Sequence, residues 1–263
     1  MTQNDLLLII VSFMFGTMIG SFLNVVILRL PQPGTSIVFP ASHCPNCKTP
    51  LHWYENIPIL SFTFLRGKCA HCRAPISIQY PTVELLTGLL AAAVVASYGL
   101  SPAAAGYFIF SAALITIIWI DIHHQIIPDV ISIPGIAVGF CFSFISPLLS
   151  WQDSLIGLLV GGGVFYAISY SYYMIRKQEG LGGGDIKLLA MLGAFLGWQS
   201  LFFIIFASSL TGSVVGLIAM RSQKKGGSTR IPFGPFLAIS GLAYLFFHPT
   251  IHHFFRLYLN TVS

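Results

Sequence analysis

The sequence predicts an all-α polytopic membrane protein of about eight transmembrane helices, with a small cysteine-bearing domain inserted after the first. Three observations predict it. Only 13 Lys+Arg and 8 Asp+Glu occur in 263 residues, or 8% charged against 55% hydrophobic, whereas a soluble domain has roughly 25% charged residues. Apolar runs near the length of a bilayer crossing recur along the chain. Basic residues collect in alternate loops. So little charge cannot clothe a soluble core of this size, which excludes an aqueous enzyme or a nucleic-acid-binding protein. With 22 Phe, 10 Tyr and 4 Trp the chain is also too apolar for disorder.

In order, the predicted spans cover about 6 to 28, 83 to 98, 103 to 120, 130 to 149, 154 to 175, 186 to 197, 200 to 220 and 232 to 248. The sixth is short for a crossing, and only Gly197-Trp198-Gln199-Ser200 separates it from the seventh; a seven-span count would place the C-terminus on the other side. Arg29, Lys48, Arg66, Lys68 and Arg73 flank or occupy the first loop. Arg176, Lys177 and Lys187 follow span five, and Arg221, Lys224, Lys225 and Arg230 follow span seven. With eight spans these share one face, which the positive-inside rule makes cytoplasmic, with both termini outside and Arg256 the exception. Residues Met1 to Ser12 lack a basic n-region and no Ala-x-Ala site follows, so a cleaved signal peptide is not expected. Three domains are expected: the first span (1–30), a cytoplasmic insert (31–81) and a multi-helix membrane domain (82–263).

The insert holds four of the five cysteines, as Cys44-Pro-Asn-Cys47 and Cys69-Ala-His-Cys72. Two Cys-x2-Cys knuckles can converge four thiolates into the closed tetrahedron of structural zinc. Disulfides are disfavoured in a reducing cytoplasm, and a redox dithiol normally opens a helix in a βαβ unit, which this Pro-rich stretch lacks. About 50 residues build little core of their own, so a metal staple has a physical purpose. His43, His52 and His71 are expected to be bystanders, and Cys141, in an apolar span, a small buried hydrophobe.

Carboxylates at membrane depth are costly and therefore point to function. Asp121 ends span three, Asp129 opens span four and Asp185 opens span six. Each also has a plain structural reading: Asp129 or Asp185 as a helix cap, Asp121 as a solvated loop residue. The glycines Gly180, Gly182, Gly183 and Gly184 before Asp185 tip the balance there, because a cap requires none of them and their backbone entropy is costly. Two carboxylates a few ångströms apart share a proton, and one becomes a general base while the other serves as a general acid. No Gly-x-Ser-x-Gly or His-Glu-x-x-His pattern competes with this. An ion-coupled transporter using intramembrane acids and a zinc-bearing membrane adaptor are the alternatives from other classes.

The run Gly20-Ser-Phe-Leu-Asn-Val-Val-Ile27 with Arg29-Leu-Pro31, the paired Cys-x2-Cys around Asn56-Ile-Pro58 and Leu65-Arg-Gly67, Tyr80-Pro-Thr-Val-Glu84, Ile120-Asp121, Ile127-Pro-Asp129 and the Gly-x-Gly-Asp at 182–185 together resemble the bacterial type IV prepilin peptidases. The resemblance runs in order through nearly the whole chain. It implies cleavage of the basic leader of type IV prepilins or type II secretion pseudopilins at the cytoplasmic face of the bacterial inner membrane, then methylation of the new N-terminus with S-adenosylmethionine. It also implies that Asp121 and Asp185 are the catalytic pair, a choice over Asp129 that the residues alone leave open. No soluble Gly-x-Gly-x-x-Gly fingerprint offers an S-adenosylmethionine site; the resemblance places that activity near the first cytoplasmic domain, with Glu84 an attractive acid there. Glu55, Glu84 and Glu179 are the acids available to meet a basic leader.

Overall fold

The computed structural model describes residues 3–177, 182–223 and 231–262. Glu179, Gly180, Lys224, Lys225 and Arg230 lie outside the described residues. The helices are α1 (Gln3–Arg29), α2 (Leu60–Phe64), α3 (Gln79–Tyr98), α4 (Pro102–His124), α5 (Asp129–Phe142), α6 (Trp151–Leu158), α7 (Phe165–Arg176), α8 (Gly183–Leu196), α9 (Trp198–Gln223) and α10 (Gly234–Val262). A 3₁₀ turn occupies Trp53–Asn56, and a π-helical turn, Leu159–Val164, joins α6 to α7. Six described segments are long and apolar enough to cross a membrane: Asp5–Arg29, Gln79–Tyr98, Pro102–His124, Trp151–Arg176, Trp198–Arg221 and Gly234–Ile251. The expected fourth and sixth spans are α5 and α8, each of 14 residues. At 1.5 Å per residue these rise only about 21 Å, short of a full hydrocarbon core. Residues 143–149 are not helical as the sequence suggests but leave α5 before Pro147.

The chain divides inside α4 into two compact units, Met1–Thr116 and Ile117–Ser263. In the first, α1 lies along α3. Association inside a bilayer depends on close packing rather than hydrophobicity, so small residues mark the seam. A Cβ on Gly16 would lie 2.6 Å from Ala91 Cβ, and one on Gly20 would lie 2.7 Å from Glu84 Cα. Asn24, 1% exposed, closes the seam by donating its amide to the Tyr80 carbonyl at 3.1 Å.

The second unit is built around α8, which is apolar on every side and buried from Leu188 to Leu196. Neighbours on several sides, α5, α6, the π turn, α9 and α10, enclose it. On one side the backbones themselves touch: a Cβ on Gly157 would sit 2.3 Å from the Gly193 carbonyl oxygen, and one on Gly161 2.4 Å from that of Leu189. Ser154 adds a hydroxyl donated to the Ala194 carbonyl at 2.7 Å. The consequence is positional: α8 has no room to rotate or shift along this seam, and Asp185 stands in its first turn.

Cys141, expected to be buried, instead lies on the exposed face of the apolar helix α5. Gly135 and Gly139 turn the other face toward Met191 and Phe195 of α8, which leaves the cysteine outward.

Candidate active site and metal centre

Asp121 is in the last turn of α4 and is 5% exposed. It is not the solvated loop residue that its place near a helix end allowed. Its Oδ2 accepts the Gly234 backbone N–H at 3.0 Å, a buried bond spanning 113 residues. Gly234 opens α10, where the first N–H groups have no partner within the helix. Pro235 carries no N–H, so the Gly234 amide is the donor at the mouth of that helix, and the positive end of the dipole favours an anion there. Glycine is required on steric grounds: a Cβ at 234 would stand 2.6 Å from the same carboxylate oxygen.

Asp185 is the third residue of α8, half-buried, with Gly182 at the N-cap. Its own carboxylate borders the glycines, since a Cβ on Gly182 would fall 3.1 Å from Asp185 Oδ2. Gly234, which borders Asp121, and Gly184, which precedes Asp185, both face Ile127. Ile127 joins their surroundings: a Cβ on Gly184 would lie 3.0 Å from Ile127 Cβ, and one on Gly234 3.1 Å from Ile127 Cδ1. The connection from α4 to α5 that carries Ile127 turns at Gln125, whose φ of 55° ends the helix four residues after Asp121. Asp129 has a different partner. Pro128 occupies the N-cap of α5, and the Asp129 carboxylate accepts from Lys187 Nζ at 2.6 Å in a partly exposed ion pair. His123 and His124 are exposed.

Of these contacts, sequence reasoning missed Gly234 and Ile127. A signal was present in Ile231-Pro-Phe-Gly-Pro235, where a glycine at a helix start is followed by proline. Nothing in it names Asp121 as the partner, because a backbone donor has no side-chain signature.

The four expected metal ligands come together in the first unit. The sulfur atoms of Cys44, Cys47, Cys69 and Cys72 all lie within 4.8 Å of one another, and Cys44 Sγ to Cys72 Sγ is 3.8 Å. Thiolates about 2.3 Å from a common ion at tetrahedral angles stand about 3.8 Å apart, so the cluster fits a four-coordinate metal. Two copies of one local fold achieve this. In the first, Lys48 N–H donates to the Cys44 carbonyl and Cys44 N–H to that of Thr49; in the second, Arg73 donates to Cys69 and Cys69 to Ala74. Lys48 (φ 57°) and Arg73 (φ 59°), each just after the second cysteine, supply the left-handed turn. The Asn46 side-chain amide donates to Cys72 Sγ at 3.5 Å, and that bond, together with the Ala74 backbone and the neighbouring cysteines, lowers the pKa of this thiol to about 6. The three nearby histidines are outside the cluster: His52 stacks on Tyr54, and His71 lies 3.8 Å from Glu55.

Two of the acids considered for leader recognition are committed elsewhere. Glu55, with a side chain 6% exposed, accepts the His52 N–H at 2.8 Å. Glu84 is buried and accepts the Ile59 N–H at 2.8 Å. Ile59 holds a φ of 63°, a conformation that a β-branched residue adopts only when held, and Glu84 supplies the hold.

These features define a polytopic helical membrane protein with carboxylates at the ends of two of its helices and, in its first unit, a four-thiolate site suited to a metal. The chain belongs to the type IV leader peptidase family: that family's model matches residues 108–217, and the bacterial peptidase A24 N-terminal domain matches residues 14–98. It is 37% identical to a prepilin leader peptidase/N-methyltransferase of Stutzerimonas stutzeri over 92% of this chain and 91% of that protein. Proteins of the same description from Aeromonas hydrophila (38%, 87% of each chain) and Pseudomonas aeruginosa (35%, 92% and 91%) are similarly related. No solved structure matches the chain.

Proposed function

We propose that this protein removes the leader peptide of type IV prepilins or type II secretion pseudopilins and methylates the exposed N-terminus, with Asp121 and Asp185 as the hydrolytic pair. The observation that carries the reading is the buried Gly234 N–H on Asp121 Oδ2, made where Ile127 also meets Gly184, the residue before Asp185. Family membership supports an enzyme over the transporter and adaptor alternatives.

Two neighbouring carboxylates resist double ionisation and hold one proton between them. The ionised member takes a proton from water, whose oxygen attacks the scissile carbonyl. The protonated member polarises that carbonyl and then gives its proton to the departing nitrogen as the C–N bond breaks. The products are a leader carboxylate and a free amine on the pilin. The amide donor on Asp121 Oδ2 holds that carboxylate in place. S-adenosylmethionine would supply the methyl group: the new amine attacks it, the S–CH3 bond breaks to leave S-adenosylhomocysteine, and the nitrogen loses a proton. Cys44, Cys47, Cys69 and Cys72 would hold a zinc ion that staples the insert, leaving hydrolysis to the aspartates. The distribution of Lys and Arg supports an inner-membrane protein with the insert and the aspartates on the cytoplasmic side.

Incubating membranes containing the protein with a prepilin and labelled S-adenosylmethionine tests both halves. Leader loss and label on the new N-terminus are expected; an unprocessed prepilin alongside active wild-type relatives would refute the assignment.

A further inference from the structure

The metal-binding insert is tied to the membrane helices more deeply than a soluble loop requires. Glu84 is the sixth residue of α3, about 7.5 Å along the axis from its start. Its carboxylate reaches back toward the N-terminus, as helical side chains do, and holds the Ile59 amide at 2.8 Å. Ile59 therefore lies at the depth of the first two turns of a membrane-spanning helix. α2 begins at the next residue, so Leu60–Phe64 starts at that depth too.

The exposed side chains of this segment suit lipid. Leu60 and Phe64, four residues apart on one face of α2, are 54% and 81% exposed. Trp53, in the 3₁₀ turn packed on α2, is 80% exposed, and Ile78, the residue before α3, is 68% exposed. In water this would be an unexplained apolar surface; at a headgroup boundary Trp and Phe beside a short helix are what is expected. The charges agree. From Arg29 to Ile78 the chain carries Arg29, Lys48, Arg66, Lys68 and Arg73, against Glu55, whose side chain is buried. Four thiolates around a divalent ion would still leave the insert positive. Arg66 and Lys68 follow α2 directly and are exposed, placed to meet anionic headgroups.

We infer that α2 and Trp53 form an interfacial foot, which seats the metal-binding insert in an anionic lipid leaflet with Leu60 and Phe64 at the acyl boundary. The insert is thus held at the membrane by Glu84 from within and by lipid from without.

The full chain, reconstituted in vesicles of phosphatidylglycerol and phosphatidylcholine brominated at shallow or deep acyl positions, provides the test. Trp119→Phe, Trp151→Phe and Trp198→Phe leave Trp53 as the single indole; a companion protein adds Trp53→Phe and Phe64→Trp. Shallow bromine is expected to quench both indoles more than deep bromine, with quenching reduced in pure phosphatidylcholine or high salt. Phe64→Asp should abolish quenching of Trp53 while bound metal stays at one ion per chain, separating undocking from unfolding. Red, water-like emission unaffected by brominated lipid would overturn the inference. An indole at 64 that ignores lipid but shifts on addition of prepilin would overturn it as well, marking a peptide-binding face instead.

Discussion

The cysteine cluster and the aspartate pair are built by opposite strategies. All four cysteines fall within 29 consecutive residues, and each pair sits in its own short turn, with the same hydrogen bonds and the same left-handed residue. Local chain geometry does most of the assembly, and a metal would complete it. The aspartates come from α4 and α8, and the clamp on Asp121 from α10, 113 residues away. No local rule joins those pieces, and the packing of α8 against its neighbours must do it. A local site should therefore fail through its ligands, and an assembled site through its helix seams as well as its acids.

The largest effects are expected at the carboxylates. Asp121→Asn or Asp185→Asn should reduce prepilin cleavage by about 10²–10⁴-fold, the usual cost of a lost acid or base, while the protein still accumulates in membranes; normal cleavage by both variants would sink the assignment. Gly234→Ala comes next and tests assembly directly. The added Cβ would press on Asp121 Oδ2, and a misplacement near 1 Å costs about 10²-fold. Turnover should fall with KM little changed, and methylation of an already cleaved pilin should persist. Loss of both activities in equal measure would point to general unfolding.

Cys44→Ser with Cys72→Ser sharpens the other side of the comparison. Metal analysis should find about one zinc per chain in the reduced wild type and none in the double variant, and limited proteolysis should then cut between residues 31 and 81. Absence of metal in freshly purified, reduced wild type would refute the site. Asn46→Ala removes the amide on Cys72 Sγ and is expected to weaken metal affinity roughly 10-fold, the lower end for an outer-shell partner, measured by chelator competition. The smallest effect should be that of Lys187→Met. Its pair with Asp129 is partly exposed, and such pairs contribute about 0–1 kcal/mol, so cleavage should stay within a few-fold of wild type. A loss as large as that of Asp185→Asn would place Asp129 in the chemistry.

Much of this was legible in the residues. Six long spans follow from apolar runs that nothing else explains, and the two shorter helices coincide with the fourth and sixth predicted spans. The cysteine spacing gave the cluster because its geometry is local. Less legible were the limits of α5, whose apolar run continues past its helical end, and the outward placement of Cys141, since in a membrane an apolar residue is at home facing either lipid or protein. Asp121 could not be told from Asp129 by spacing, because both lie at helix ends; burial and an amide donor distinguish the first, an exposed lysine the second.

By itself the sequence determined that the chain lives in a membrane, which loops are basic, where four thiolates gather and that Asp185 follows an unusual run of glycines. These are properties of composition and short-range spacing. Tertiary structure alone decided that Asp121 is buried while Asp129 pairs with Lys187, that a glycine opening the last helix clamps Asp121, and that backbone contact along Gly157 and Gly161 fixes the helix bearing Asp185. The physical reason is that in a bilayer every helix is apolar, so hydrophobicity chooses helices without choosing their partners. Partners are selected by close approach and by the few polar groups that must be satisfied, and both exist only once the helices have met.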